Sequence, residues 1–288
     1  MSVPADKPRK LGIAAGGGPL PLRVADAARA QGREVFIVGV KGAAGPSIEA
    51  YPHGWVRVGA MGRFAKLFKD AGCEDVVIIG PMNRPTLLDV VPDFRGALLL
   101  PRFIKRMKTG DDALLRLVVE FLEENGLRVI GAETILTSLL AAEALLTRAA
   151  PDAAHEAEID VAIRAARDIG ARDIGQGAVV RRGNVIALED IKGTDAMLAR
   201  VAAEHPADAR GRSGVLVKLP KPTQERRVDL PTIGTRTVER AAAAGLAGIA
   251  VEAGGAIIAD ADEVARVADA LGLFVLGFPS ARVESLKS

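Results

Sequence analysis

The residues with the densest chemistry lie between Lys218 and Gly234, where four cations, Lys218, Lys221, Arg226 and Arg227, surround the carboxylate of Asp229. Pro220, Pro222 and Pro231 forbid a helix here and predict a stiff, extended path. The Ala-rich run from Thr235 to Gly245 predicts a helix immediately after, so the charges arrive at a helix N-terminus, which favours an anion. Two further carboxylates, Glu189 and Asp195, sit where a strand hands over to a helix, with Gly193 permitting close backbone approach and Thr194 available as a cap. Taken alone, Asp195 need only complement a helix dipole, an effect of roughly 0.3 to 1 kcal/mol. Taken together, Glu189, Asp195 and Asp229 beside phosphate-attracting helix starts have the composition of a Mg²⁺ site that bridges to phosphate oxygens.

A second anion signal stands near the N-terminus. Leu11 to Ala15 reads as a buried strand, Gly16, Gly17 and Gly18 as a turn, and the residues through Ala30 as a helix. Such a turn can cradle a phosphate, and a tight strand-to-helix turn with nothing bound uses the same residues. The glycine spacing departs from G-x-G-x-x-G, and Val40 and Lys41 stand where a dinucleotide site places an acid for the ribose. NAD use is therefore disfavoured, and NADP use would have to run through Lys41. Asn83 and Arg84 follow a strand at its C-terminal end and are candidate ligand contacts, or an ordinary polar turn. Leu98 to Lys108 mixes an apolar face with four cations, fitting a core helix with a solvated basic face, a lipid groove, or a helix lying on an anionic membrane.

The elements that must position these residues alternate. Strands are predicted at 34–40, 55–58, 75–80 and 127–131, with helices at 61–71, 94–108 and 111–125, the order of a parallel sheet wrapped by helices. The run from Glu133 is Leu- and Ala-rich and ends at Ala149-Ala150-Pro151-Asp152, a helix stop and restart, where the domain joint is placed. Beyond it come a helix at 153–169, a hairpin of 178–180 with 185–188, a helix through Glu204, a strand at 213–219, a hairpin of 246–252 with 256–259, a helix at 260–271 and a strand at 273–277. The predicted fold is α/β: a Rossmann-like parallel-sheet domain over 1–138 and an α/β domain with a mixed sheet over 139–288.

Composition bounds the partners. At 288 residues two domains can each bury a core, and 38 basic residues nearly cancel 36 acidic ones. That balance, with aromatics at 3%, argues against nucleic acid. The single Cys73 excludes a disulfide framework and cysteine metal sites and fits a reducing cytoplasm. The first apolar run, Leu11 to Ala15, is too short for a signal peptide or a membrane span.

Three runs together carry a resemblance. Lys10 to Gly18, Glu189 to Met197, and Lys221-Pro222 through Gln224, Arg227 and Asp229-Leu230-Pro231-Thr232-Ile233-Gly234 resemble the LpxI family of UDP-2,3-diacylglucosamine pyrophosphatases of lipid A synthesis. The resemblance spans nearly the whole chain, with Glu225 standing where many relatives carry Asp. It implies Mg²⁺-dependent hydrolysis of the pyrophosphate to UMP and 2,3-diacylglucosamine 1-phosphate (lipid X), with the substrate held between two domains. It implies Asp229 as the catalytic acid, binding metal or orienting water, with Glu189 and Asp195 in support and Lys218 and Arg227 clamping phosphate. Gly16, Gly17, Gly18, Asn83, Gly193, Thr194, Lys221, Gln224 and Thr232 become the expected substrate contacts. The expected location is cytoplasmic, with room for a peripheral contact with the inner membrane and for a homodimer. Two rival readings use the same residues: an NADP-dependent oxidoreductase, and a non-catalytic protein that sequesters a nucleotide-linked lipid, in which Asp229 only pairs with Arg226 or Arg227.

Overall fold

The structure, a computed structural model, describes residues 8–82, 90–107, 111–205, 211–222 and 224–286. The chain divides into two compact units. One comprises Met1–Thr137 together with Glu225–Asp229, and the other Ser138–Gln224 with Leu230–Ser288.

The N-terminal unit is built on β1 (Leu11–Ala15), β2 (Val35–Val40), β3 (His53–Val56), β4 (Asp75–Ile79) and β5 (Arg128–Val129). All pair in parallel, in the order β3-β2-β1-β4-β5. This is the strand order of doubly wound sheets, whose ligand crevice lies where the order reverses, here between the C-terminal ends of β1 and β4. The connecting helices are α1 (Leu20–Ala30), α2 (Met61–Asp70), α3 (Phe94–Met107) and α4 (Asp111–Glu124). Phe64 and Phe68 of α2 and Leu122 of α4 pack with Val38, Val76 and Val129 of the sheet. The predicted α/β alternation is present, with boundaries displaced by one or two residues.

The C-terminal unit holds α5 (Ala153–Ala171), β6 (Gly177–Arg181), β7 (Asn184–Leu188), α6 (Gly193–Glu204), β8 (Val215–Lys218), β9 (Thr232–Ile233), α7 (Thr235–Ala243), β10 (Gly248–Glu252), β11 (Ile257–Ile258), α8 (Ala261–Leu271), β12 (Phe274–Phe278) and α9 (Ser280–Ser285). Its main sheet runs β12-β10-β8-β6-β7, parallel from β12 to β8 and antiparallel through β6 and β7. Strand β8 shows why it reads as a continuous apolar run. Val215 and Val217 join Ile159 and Ile163 of α5, while Leu216 joins Met197, Val238 and Val264 of α6, α7 and α8, so both faces are covered.

Two sequence expectations fail here. The stretch from Glu133 to Pro151 is not a helix. After short 3₁₀ turns at Ala132–Thr134 and Thr137–Leu139 it runs irregularly, bridging Leu140 to Ile257 and Leu145 to Leu276. Its backbone groups are used on strand edges, and Leu139 and Leu146 on the core, which overrides the helix propensity of the stretch. The restart at Asp152 is present, its carboxylate accepting from the N–H groups of Ala154 and His155. The predicted hairpin of 246–252 with 256–259 is also absent: β10 pairs with β8 and β12, and β11 pairs in parallel with β9, a two-residue strand too short to read from sequence.

One buried charge holds the lower edge of the N-terminal sheet. Asp75 opens β4, is 1% exposed, and accepts from Arg33 Nη2 at 2.6 Å and Arg128 Nε at 2.8 Å. Burial pushes its carboxyl up, but the hydrogen bonds and charges of Arg128 and Arg33 outweigh that and hold it below the ordinary value. A depressed folded-state pKa means the stabilisation is present above the unfolded pKa and is lost as pH falls through the folded one. Asp75→Asn should therefore cost about 2 kcal/mol at neutral pH, because it removes the charge that a half-buried Arg33 and an exposed Arg128 both hydrogen-bond. Melting curves of the two proteins should converge as pH is lowered from 7 towards 3; a gap that stays constant would refute this role.

Candidate functional site

The site residues of the C-terminal unit begin at the end of β8. Side chains alternate along a strand, so Lys218 shares the face of Leu216, towards α6, α7 and α8. Lys218 is 4% exposed and its Nζ donates to the Thr232 carbonyl at 3.2 Å, which explains how an ammonium is tolerated in so apolar a strand. Its neighbour across the ladder is Gly177. Next along the same row is Glu189, whose N–H donates to the Gly177 carbonyl. Glu189 is 6% exposed, and its carboxylate lies over Gly177: a Cβ built on that glycine would meet Glu189 Oε2 at 2.6 Å. The absence of a side chain at Gly177 is what makes room for the acid. Glu189 Oε1 accepts from the Thr194 hydroxyl at 3.1 Å, and Oε2 is buried without a hydrogen-bond partner. A buried carboxylate oxygen left in this state costs stability.

Thr194 thus serves Glu189 and does not cap α6, whose N-terminus has no side-chain cap. Gly193 precedes it with φ of 79°, in the left-handed region that glycine enters without strain. Asp195 lies in the first turn of α6 and turns to α7, its Oδ2 at 2.5 Å from Arg236 Nη2 and its Oδ1 at 3.3 Å from Arg240 Nε.

Between Leu219 and Gln224 the described residues are locked to the same unit and include no helix, in keeping with the prolines. The Leu219 N–H donates to the Gln176 carbonyl, the Lys221 N–H to Gln224 Oε1 at 2.8 Å, and Gln224 Nε2 to Gln176 Oε1 at 3.2 Å. Lys221 Nζ reaches Asp173 at 2.7 Å. Sequence reasoning missed Asp173, Gln176 and Gly177. The available signal was the pair of glycines, Gly175 and Gly177, directly before a strand.

Asp229 is placed differently. Residues Glu225–Asp229 form a turn in which the N–H groups of Val228 and Asp229 both reach the Glu225 carbonyl, and the turn belongs to the N-terminal unit. Val228 packs on the core around Phe68 and Val129. Arg227 donates through Nε and Nη2 to the two oxygens of Glu225, each at 2.9 Å, and through Nη1 to Glu123 at 2.6 Å and the Val129 carbonyl at 3.2 Å. The hydrogen bonds from Arg227 hold the Glu225 carboxyl below its ordinary value, and Glu225 first, then Glu123, raise Arg227. Glu225 and Arg227 are therefore engaged with each other and, through Arg227, with α4 and β5. Asp229 itself is half-buried.

At the head of β1, the Gly16 N–H donates to the Ile79 carbonyl and the Gly17 N–H to the Pro81 carbonyl. A Cβ on Gly16 would sit 2.3 Å from the Gly80 carbonyl oxygen, so this glycine is demanded by backbone crossing backbone at the switch point. Gly18, with φ of 74°, then leads into α1. Asn83 and Arg84 lie outside the described residues. Among the described residues, no three His, Cys, Asp or Glu side chains are grouped so as to hold a metal ion, and no helix is long and apolar enough to cross a membrane.

Comparison with known proteins agrees along the full length. The LpxI N-terminal domain model matches residues 10–139 and the LpxI C-terminal domain model matches residues 142–276. A protein of Caulobacter vibrioides, UDP-2,3-diacylglucosamine pyrophosphatase LpxI, is 46% identical over 273 residues, covering 93% of this chain and 97% of its own length. Among solved structures, UDP-glucose-4-epimerase from Stenotrophomonas maltophila with bound NAD and formylated UDP-arabinopyranose aligns at 16% identity and a TM-score of 0.29, covering 42% of this chain and 36% of its own. A leucoanthocyanidin reductase from Vitis vinifera with NADPH aligns at 17% identity and a TM-score of 0.26, covering 42% of this chain and 48% of its own. At such scores neither structure bears on function. The two domain models and the full-length relative do, and the chain belongs to the LpxI family.

Proposed function

We propose that this protein hydrolyses the pyrophosphate of UDP-2,3-diacylglucosamine with Mg²⁺, releasing UMP and 2,3-diacylglucosamine 1-phosphate. The observation that supports the reaction class is the 46% identity, over 93% of the chain, to a relative named for it. In this chain the chemistry falls to a small set of residues. Asp229 orients a water and takes its proton as the oxygen attacks the phosphorus on the sugar-lipid side. The bond from that phosphorus to the bridging oxygen breaks, and the bridging oxygen leaves with UMP. Lys218, fixed by the Thr232 carbonyl, supplies a preorganised positive charge to the phosphoryl oxygens. Lys221, Gln224, Thr232, Gly193, Thr194 and the Gly16 to Gly18 turn contribute substrate contacts.

The donor set must suit Mg²⁺. This ion takes hard oxygen ligands and is commonly held by one or two carboxylates plus substrate phosphates, not by an all-protein cage. Glu189, with a buried oxygen lacking a donor, and Asp229 fit that requirement. Asp195, both of whose oxygens face guanidinium groups, is better assigned to joining α6 and α7. When bound, Mg²⁺ offsets charge on the phosphoryl oxygens. We also assign Arg227 to holding the Asp229 turn, since its donors are directed at Glu225, Glu123 and Val129.

Asp229→Ala should lower UMP release by roughly 10² to 10⁴-fold while melting temperature and product binding survive. Substantial turnover in that variant would remove Asp229 from the chemistry. Chelation by EDTA should abolish UMP release and added Mg²⁺ restore it; full activity after exhaustive chelation would contradict the cofactor assignment. Glu189→Met should separate function from stability. Removing the unpartnered buried carboxylate should leave the fold as stable or stabilise it by about 1 kcal/mol, while UMP release falls at least about tenfold. A marked loss of melting temperature with turnover intact would make Glu189 a structural residue.

A further inference from the structure

The large apolar side chains exposed by the described residues of the N-terminal unit are Met82, Val91, Phe94, Leu98 and Ile104, all in one stretch of sequence. Three of them lie on α3. Phe94 is 81% exposed, Leu98 68% and Ile104 39%. The helix is not loosely attached. Asp93 accepts at Oδ1 from the N–H groups of Gly96 and Gly62 and at Oδ2 from that of Arg63, pinning its start to α2. Gly96 is buried, and Leu99 packs on the core of the sheet. With Gly96 and Leu99 turned inward, the opposite face presents Phe94, Leu98, Pro101, Arg102 and Lys105, all exposed at spacings of three or four residues. Beside the solvated cations expected of this helix, an aromatic and a leucine also occupy the solvent side.

Charge decides what covers this face. The helix FRGALLLPRFIKRM contains cations and no acidic residue, and Arg102 and Lys105 stand on the exposed face beside the apolar groups. A fixed helix with Phe and Leu flanked by Arg and Lys is the pattern of an interfacial helix: apolar groups enter the acyl boundary while long cationic side chains reach the phosphates. We propose that α3 docks the protein on an anionic lipid bilayer, lying in the plane of the surface. Each of Arg102 and Lys105 contributes about fivefold to partition onto such a surface, and the apolar pair holds the helix there. The proposal does not depend on which residues perform hydrolysis.

The test is flotation of the full-length protein with vesicles of phosphatidylglycerol and phosphatidylcholine, or of phosphatidylcholine alone. The protein should float with the anionic vesicles and be recovered with the neutral ones at least about tenfold less. Arg102→Glu/Lys105→Glu should lower recovery by about tenfold or more, and Phe94→Ala/Leu98→Ser should do so with charge unchanged. Melting curves check that both variants fold, and hydrolysis of detergent-dispersed substrate should be unchanged in both. The proposal is overturned if the wild type stays with the unbound fraction, or if both variants float as the wild type does. It is equally overturned if the wild type is a dimer that Phe94→Ala/Leu98→Ser dissociates, since a second copy would then cover the face.

Discussion

The account of catalysis depends on how one guanidinium is used. Arg227 meets Glu225 with two parallel hydrogen bonds, Glu123 with a third and the Val129 carbonyl with a fourth. An exposed ion pair such as Arg227 with Glu123 is worth about 0 to 1 kcal/mol by itself, so the value of the arrangement is geometric. The planar fork admits one orientation of the turn, and Val129 lies on β5, an edge strand whose outward carbonyl needs a donor. Val228 adds apolar contact with the core beside it. The result is that five residues, flanked on both sides by chain of the C-terminal unit, are built into the N-terminal one, and the last of them is Asp229.

Within the C-terminal unit a different constraint operates, the accommodation of charge at the end of a fully covered sheet. Lys218 and Glu189 occupy one row with Gly177 between them, and each is kept by a specific device: a carbonyl for the ammonium, an empty glycine and a threonine hydroxyl for the carboxylate. The carboxylate is only half satisfied. Cores that retain such groups give up stability, and the trade is understandable where a hard cation or a phosphate needs an oxygen or an ammonium in a fixed place.

Much of this was legible in the sequence. The βα alternation followed from period and punctuation, and β8 from a short apolar run ending in Lys218. Glu189 and Thr194 stood out at a strand-to-helix handover and Asp229 among cations, as candidates for the site. What could not be read were the consequences of long-range pairing. The Leu- and Ala-rich stretch from Glu133 to Pro151 has helical composition but spends its backbone on the edges of β11 and β12. The run 256–259 was assigned to its sequence neighbour β10, whereas Ile257 and Ile258 pair with Thr232 and Ile233. That Glu123, about a hundred residues earlier, accepts a hydrogen bond from Arg227 is a tertiary fact with no local signal. Gly177 had meaning only once Glu189 was seen lying over it.

In the proposed mechanism Arg227 positions Asp229 from behind and does not grip the substrate. Steady-state kinetics of UMP release by Arg227→Lys and Glu123→Ala test it most directly. An anchor predicts that both variants lower kcat, by about tenfold for Arg227→Lys and less for Glu123→Ala, with KM little changed, because both loosen the turn that carries the acid. A raised KM with kcat preserved in Arg227→Lys, and no effect of Glu123→Ala, would contradict it and return Arg227 to the phosphate.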